Sequence, residues 1–135
     1  MKQGKKMDKI KVLIVDDEVE FATAVAERLE IRSFFAEVVD CGRDALLSLE
    51  SRVPDIVLLD LKMPDMSGLE VLKKIKEMHP EVEVIMLTGH GSAASGLSGK
   101  ELGAFDYMMK PVDFGELVET IKLAHKKQQR ATTAD

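Results

Sequence analysis

Residues 54–68 read Pro-Asp-Ile-Val-Leu-Leu-Asp-Leu-Lys-Met-Pro-Asp-Met-Ser-Gly. Ile56 to Leu59 is a continuous apolar run that begins after a proline and stops at a carboxylate. A strand wetted on one face would alternate, so this run predicts a strand covered on both faces, as in a parallel sheet between helical layers. Pro64 and Gly68 then frame a loop, and Leu69, Leu72, Ile75 and Met78 recur at helical spacing.

The same alternation extends in both directions. Short apolar runs rich in β-branched residues recur at Ile10 to Val15, Phe34 to Val39, Val82 to Leu87 and Phe105 to Met109, which with Ile56 to Leu59 makes five strands. One-sided helices lie between and after them, marked by Phe21, Val25 and Leu29, by Ala45, Leu46 and Leu49, and by Phe114, Leu117, Ile121 and Ala124. Asp113 is placed to N-cap the last helix. Strands alternating with helices make right-handed crossovers the default, so the predicted architecture is an α/β three-layer sandwich.

At 135 residues the chain suits one domain, read here as residues 10–127, with polar termini at 1–9 and 128–135 expected to be flexible. A net charge of −5 provides no basic field for direct nucleic-acid binding and no polybasic patch for a membrane surface. No apolar run approaches spanning length, and the start lacks the apolar segment of a secretory signal, so no membrane insertion is expected. Cys41 is the only cysteine and has no internal partner, which suits a reducing, cytoplasmic setting.

Ligands of open parallel sheets gather at the carboxyl ends of the strands. Here the first strand ends in Asp16-Asp17-Glu18, the third in Asp60, the fourth in Thr88 and the fifth in Lys110-Pro111. Converging carboxylates repel, and a hard divalent ion with oxygen ligands relieves that repulsion. Asp16 or Asp17 with Asp60 would hold Mg²⁺, and Mn²⁺ would serve in its place. A carboxylate beside such an ion can attack phosphorus, with a lysine ammonium offsetting charge on the equatorial oxygens. Asp60 supplies the nucleophile and Lys110 the ammonium. Thr88 on the next strand can reach the new phosphoryl oxygens, and Tyr107 can rotate into the space Thr88 leaves.

Four segments now carry a resemblance. Ile-Val-Asp-Asp-Glu at 14–18, Leu-Leu-Asp-Leu-Lys-Met-Pro-Asp-Met-Ser-Gly at 58–68, Leu-Thr-Gly-His-Gly at 87–91 and Gly-Ala-Phe-Asp-Tyr-Met-Met-Lys-Pro at 103–111 together resemble the receiver domain of bacterial two-component response regulators. The resemblance implies a flavodoxin-like fold with strand order 2-1-3-4-5 and five helices, and a Lys110-Pro111 peptide that is usually cis. It makes Asp16 and Asp17 the acidic pair, Asp60 the acceptor, Thr88 and Tyr107 the switch residues, Lys110 the phosphate contact, and the main-chain carbonyl of Lys62 a metal ligand. The implied donor is a histidine kinase or histidine phosphotransfer domain. The implied downstream partner binds the segment 92–127, on a monomer or a phosphorylation-dependent dimer. With no effector domain encoded, a stand-alone or excised receiver is expected. Such a chain phosphorylates itself from small phosphodonors and slowly dephosphorylates, without being a turnover enzyme.

Two other functions share parts of this pattern. A Mg²⁺-dependent phosphatase with an Asp nucleophile needs an acid two residues on for proton transfer, and that position is Lys62. A nucleotide-binding domain would use Gly89-His90-Gly91-Ser92-Ala93-Ala94, but this follows the fourth strand and lacks an acid placed for a ribose. Lys62 and His90, each two residues past a site residue, should govern how long an acyl phosphate lasts. Gly96 and Gly99 fall in the expected fourth helix, where each interior glycine costs about 1 kcal/mol relative to alanine, so that helix is predicted to be marginal.

Overall fold

In the computed structural model, which describes residues 9–133, all five apolar runs are strands. They are β1 (Lys11–Val15), β2 (Phe35–Val39), β3 (Ile56–Leu59), β4 (Glu83–Thr88) and β5 (Asp106–Met109). The helices are α1 (Val19–Ile31), α2 (Gly42–Ser51), α3 (Gly68–Met78), α4 (Ala93–Glu101) and α5 (Phe114–Thr133). The sheet is parallel throughout, in the order β2-β1-β3-β4-β5. Five strands, five helices and this order are the flavodoxin-like arrangement expected.

Alternate side chains of the central strands supply two cores. Val12, Ile14, Ile56, Leu58, Ile85 and Leu87 face α1 and α5, where they meet Ala22, Val25, Leu29, Leu117, Ile121 and Ala124. Leu13, Val15, Val57, Leu59, Val84 and Met86 face the other way, against Ala45, Leu49, Val71, Leu72 and Ile75 of α2 and α3. The apolar run Ile56 to Leu59 therefore serves both layers, which is why it shows no alternation.

Local signals agree with the elements. Asp113 accepts from the Glu116 amide at 2.9 Å and so caps α5. Ser67 and Glu70 form a reciprocal capping box at the start of α3. The buried stripe of α3 differs from the one predicted: it runs through Gly68, Val71, Leu72 and Ile75, while Met78 at the last turn is exposed. α5 continues to Thr133, past the boundary drawn at residue 127. Gln128 on it donates to the carbonyls of Asp55 at 3.1 Å and Glu81 at 2.9 Å, fastening the helix to the far edge of the sheet. Of the termini expected to be flexible, residues 1–8 and 134–135 lie outside the described residues.

Candidate functional site

The parallel register brings the strand ends to one edge: Val15 pairs with Leu59, and Leu59 with Met86, so Asp16 and Asp60 emerge side by side. Both carboxylates are buried, with the Asp60 side chain only 1% exposed and that of Asp16 3%. Lys110, arriving from the end of β5, points its ammonium between them. Its Nζ lies 2.8 Å from Asp16 Oδ2 and 3.8 Å from Asp60 Oδ2. The Lys110-Pro111 peptide is cis, as the resemblance implied.

A third acid joins them. Glu18 Oε1 is 2.5 Å from Lys110 Nζ, and Asp16, Glu18 and Asp60 offer oxygens within 4.8 Å of one another. Asp17 is exposed and stands outside this cluster. The sequence places Glu18 with Asp16 and Asp17 at the end of the first strand but gives it no role of its own. The structure shows no capping bond from its side chain.

The charges interact as their spacing requires. Burial pushes the Asp16 carboxyl up, only partly offset by its bonds to Lys110 and to the Glu18 amide. The hydrogen bond from Lys110 draws the Glu18 carboxyl down. Burial acts to lower the Lys110 ammonium, but the bonds to Asp16 and Glu18 outweigh it and the net shift is upward. Among the described residues, Asp60 Oδ1 is buried without a hydrogen-bond partner. An orphan carboxylate oxygen beside further carboxylates is a donor set that fits a hard divalent cation.

Thr88 is fully buried, and its Oγ1 accepts from the His90 amide at 3.0 Å. Tyr107, half-buried, lies beneath α4 with its hydroxyl 3.2 Å from Ser95 Oγ. A Cβ on Gly91 would overlap that hydroxyl, and one on Gly96 would sit 3.3 Å from the ring. These glycines thus have a packing reason unrelated to a nucleotide loop. Lys62 and His90 are exposed and line one cleft of about 340 Å³ with Met63, Pro64 and Asp65. Asp65 accepts from the amides of Gly42 at 2.9 Å and Arg43 at 2.8 Å, tying the loop after β3 to the start of α2. A second acid group, Asp40, Cys41 and Asp44, belongs to that helix start, where Cys41 Sγ accepts from the Asp44 amide at 3.5 Å.

The family model of the response regulator receiver domain matches residues 12–122, which takes in β1 from Val12 onward, the other four strands and every residue of this cluster. The chain belongs to that family. This receiver is 36% identical over 114 residues to the luminescence regulatory protein LuxO of Vibrio campbellii, covering 84% of the chain and 25% of the relative. It is 34% identical over 125 residues to the transcriptional regulatory protein ZraR of Salmonella typhimurium, covering 91% and 28%. The receiver therefore spans about a quarter of the length of these curated relatives. Among solved structures, a CheY-like receiver domain from Methanospirillum hungatei matches with a TM-score of 0.88 at 31% identity, covering 92% of this chain and 99% of the other. The receiver domain of a LuxO repressor protein from Vibrio parahaemolyticus matches with a TM-score of 0.88 at 30% identity, covering 95% and 98%. Two-component signalling is thus this receiver's setting. Among the described residues no helix is long and apolar enough to cross a membrane.

Proposed function

We propose that the receiver accepts a phosphoryl group on Asp60 from a histidine kinase or a histidine phosphotransfer protein, changes a partner-binding surface, and later hydrolyses the acyl phosphate. The observation that carries this is the buried Asp60 carboxylate, one oxygen unpartnered and the other 3.8 Å from the Lys110 ammonium. In the transfer an Asp60 oxygen bonds to phosphorus as the P–N bond of the phosphohistidine breaks, and the imidazole leaves with its electron pair. In hydrolysis water attacks phosphorus and the carboxylate is released with inorganic phosphate.

Asp16 and Asp60 would hold Mg²⁺, with Asp17 and the main-chain carbonyl of Lys62 contributing from the rim. When bound there, the ion would supply positive charge against the charge that builds on the phosphoryl oxygens. Lys110 neutralises a further oxygen, and Thr88, at the end of the adjoining strand, donates its hydroxyl to another once Oγ1 has left the His90 amide. Tyr107 follows into the space vacated, altering the surface formed by residues 92–127, to which the downstream partner binds. Lys62 and His90 flank the water's approach; Lys62 has no acceptor while protonated, so hydrolysis is slow, and Lys62→Asn with His90→Glu speeds it.

Incubation with acetyl phosphate and Mg²⁺ tests the reading. One adduct of about 80 Da should appear on intact mass, map to Asp60, and vanish in Asp60→Ala. Labelling that persists in Asp60→Ala would remove the acceptor assignment.

A further inference from the structure

Lys110 has more partners than a phosphate contact needs. Its ammonium is engaged at once by Asp16 Oδ2 at 2.8 Å and Glu18 Oε1 at 2.5 Å, with the Phe21 ring centroid 4.3 Å away. Asp60 Oδ2, at 3.8 Å, is the most distant of the three carboxylates. The lysine is therefore held beside the acceptor, with its short hydrogen bonds directed elsewhere.

Glu18 is placed for this by design of the local chain. Asp16 Oδ1 accepts from the Glu18 amide at 2.9 Å, fixing the turn after β1, while its other oxygen binds the same Lys110 that Glu18 binds. Residues 92 apart in sequence are thus locked through one aspartate. The Glu18 side chain ignores the amides of its own helix, which an acid at that position ordinarily satisfies. It is also the exposed partner: its side chain is 56% accessible, against 3% for Asp16 and 1% for Asp60. An exposed carboxylate is readily rehydrated and contributes little net stability as an ion pair, so it is the partner that Lys110 can exchange most cheaply.

We infer that Glu18 is a positioning residue that holds the Lys110 ammonium to one side of Asp60 until a phosphoryl oxygen takes its place. This role rests on Asp60 being the phosphoacceptor. Phosphorylation brings about two negative charges onto Asp60, and the buried end of the lysine turns toward them while keeping Asp16. Glu18 is left without a cation and facing a dianion of like sign. It thereby restrains phosphorylation in the resting protein, and its release is one local consequence of the modified state. If Glu18 is instead a metal ligand its loss slows labelling, and if it only balances charge its loss leaves the rate unchanged.

The test compares the full chain with its Glu18→Gln variant, which keeps the side chain's length and removes its charge. Both are treated with acetyl phosphate at saturating Mg²⁺, with Mg²⁺ affinity titrated separately. Labelling of Asp60 should be about two- to fivefold faster in Glu18→Gln, the size expected from relaxing one exposed ion pair. In protein carrying ¹³C-lysine, the Lys110 Cε resonance should move on phosphorylation of the parent and already be displaced toward that position in unmodified Glu18→Gln. A variant labelled at the parent's rate overturns the role, as does an unmoved Lys110 resonance. Slower labelling with weaker Mg²⁺ binding would make Glu18 a ligand instead. Absence of labelling in the parent would instead strike the assignment of Asp60.

Discussion

Helices α3 and α4 begin alike and end up differently held. Each opens on a serine capping box, Ser67 with Glu70 in one and Ser92 with Ser95 in the other. α3 then buries Val71, Leu72 and Ile75 completely in the core. α4 leaves its largest apolar side chain, Leu97, 63% exposed, and meets the sheet through Gly96 and Gly99 over the Tyr107 ring and Met86. Capping decides where a helix starts, but packing decides how firmly it stays. The firmly packed helix follows the strand that carries Asp60, and the lightly packed one follows the strand that carries Thr88.

Substitution in the two helices should separate them most clearly. Ile75→Ala removes a fully buried side chain from α3 and should cost about 2–5 kcal/mol in chemical denaturation, whereas Leu97→Ala should stay within about 0.5 kcal/mol. Comparable losses at both positions would erase the contrast. Gly91→Ala comes next, because its new methyl would collide with the Tyr107 hydroxyl. It should cost about 1–3 kcal/mol and shift the Tyr107 ring resonances. Adding Tyr107→Val should restore most of the loss, and no restoration would mean that Gly91 is needed for another reason.

Amide exchange gives a finer measure. Residues 94–100 should exchange faster than residues 71–77, since few apolar contacts oppose local opening of α4. The two glycines of α4 should then differ from each other. A Cβ at Gly99 meets Met86 at an ordinary 3.5 Å, so Gly99→Ala should slow exchange through a gain of about 0.4–1 kcal/mol. At Gly96 the Cβ would press on the Tyr107 ring at 3.3 Å, so Gly96→Ala should gain less or nothing. Equal gains would show that the ring does not constrain the helix.

Much of this was legible because its cause is local. Continuous apolar runs such as Ile56 to Leu59 specify doubly covered strands, the strand ends place Asp16, Asp60, Thr88 and Lys110 on one edge, and Asp113 announces α5. What was not legible depends on contacts between distant residues. Glu18 resembles an ordinary helix-start acid until β5 delivers Lys110 beside it. Gly96 and Gly99 read as helix weakeners, and only the position of Tyr107 shows that Gly96 also makes room for a ring. The α3 stripe was drawn through Met78, whereas the buried face runs through Val71, Leu72 and Ile75 and leaves Met78 exposed.

Asp65 gives the site a fixed jaw. Its carboxylate is clamped by the amides of Gly42 and Arg43, two donors of a first helical turn that would otherwise lack protein partners, and those amides draw it below the ordinary carboxylate range. A lowered carboxyl in the folded protein means the clamp is fully engaged above the usual carboxylate pKa and slackens only as the solution is acidified through the lowered value. At neutral pH the loop bearing Lys62 is therefore an anvil. The rearrangement proposed to follow phosphorylation of Asp60 therefore falls to the opposite side, which holds Thr88, His90 and the lightly held α4.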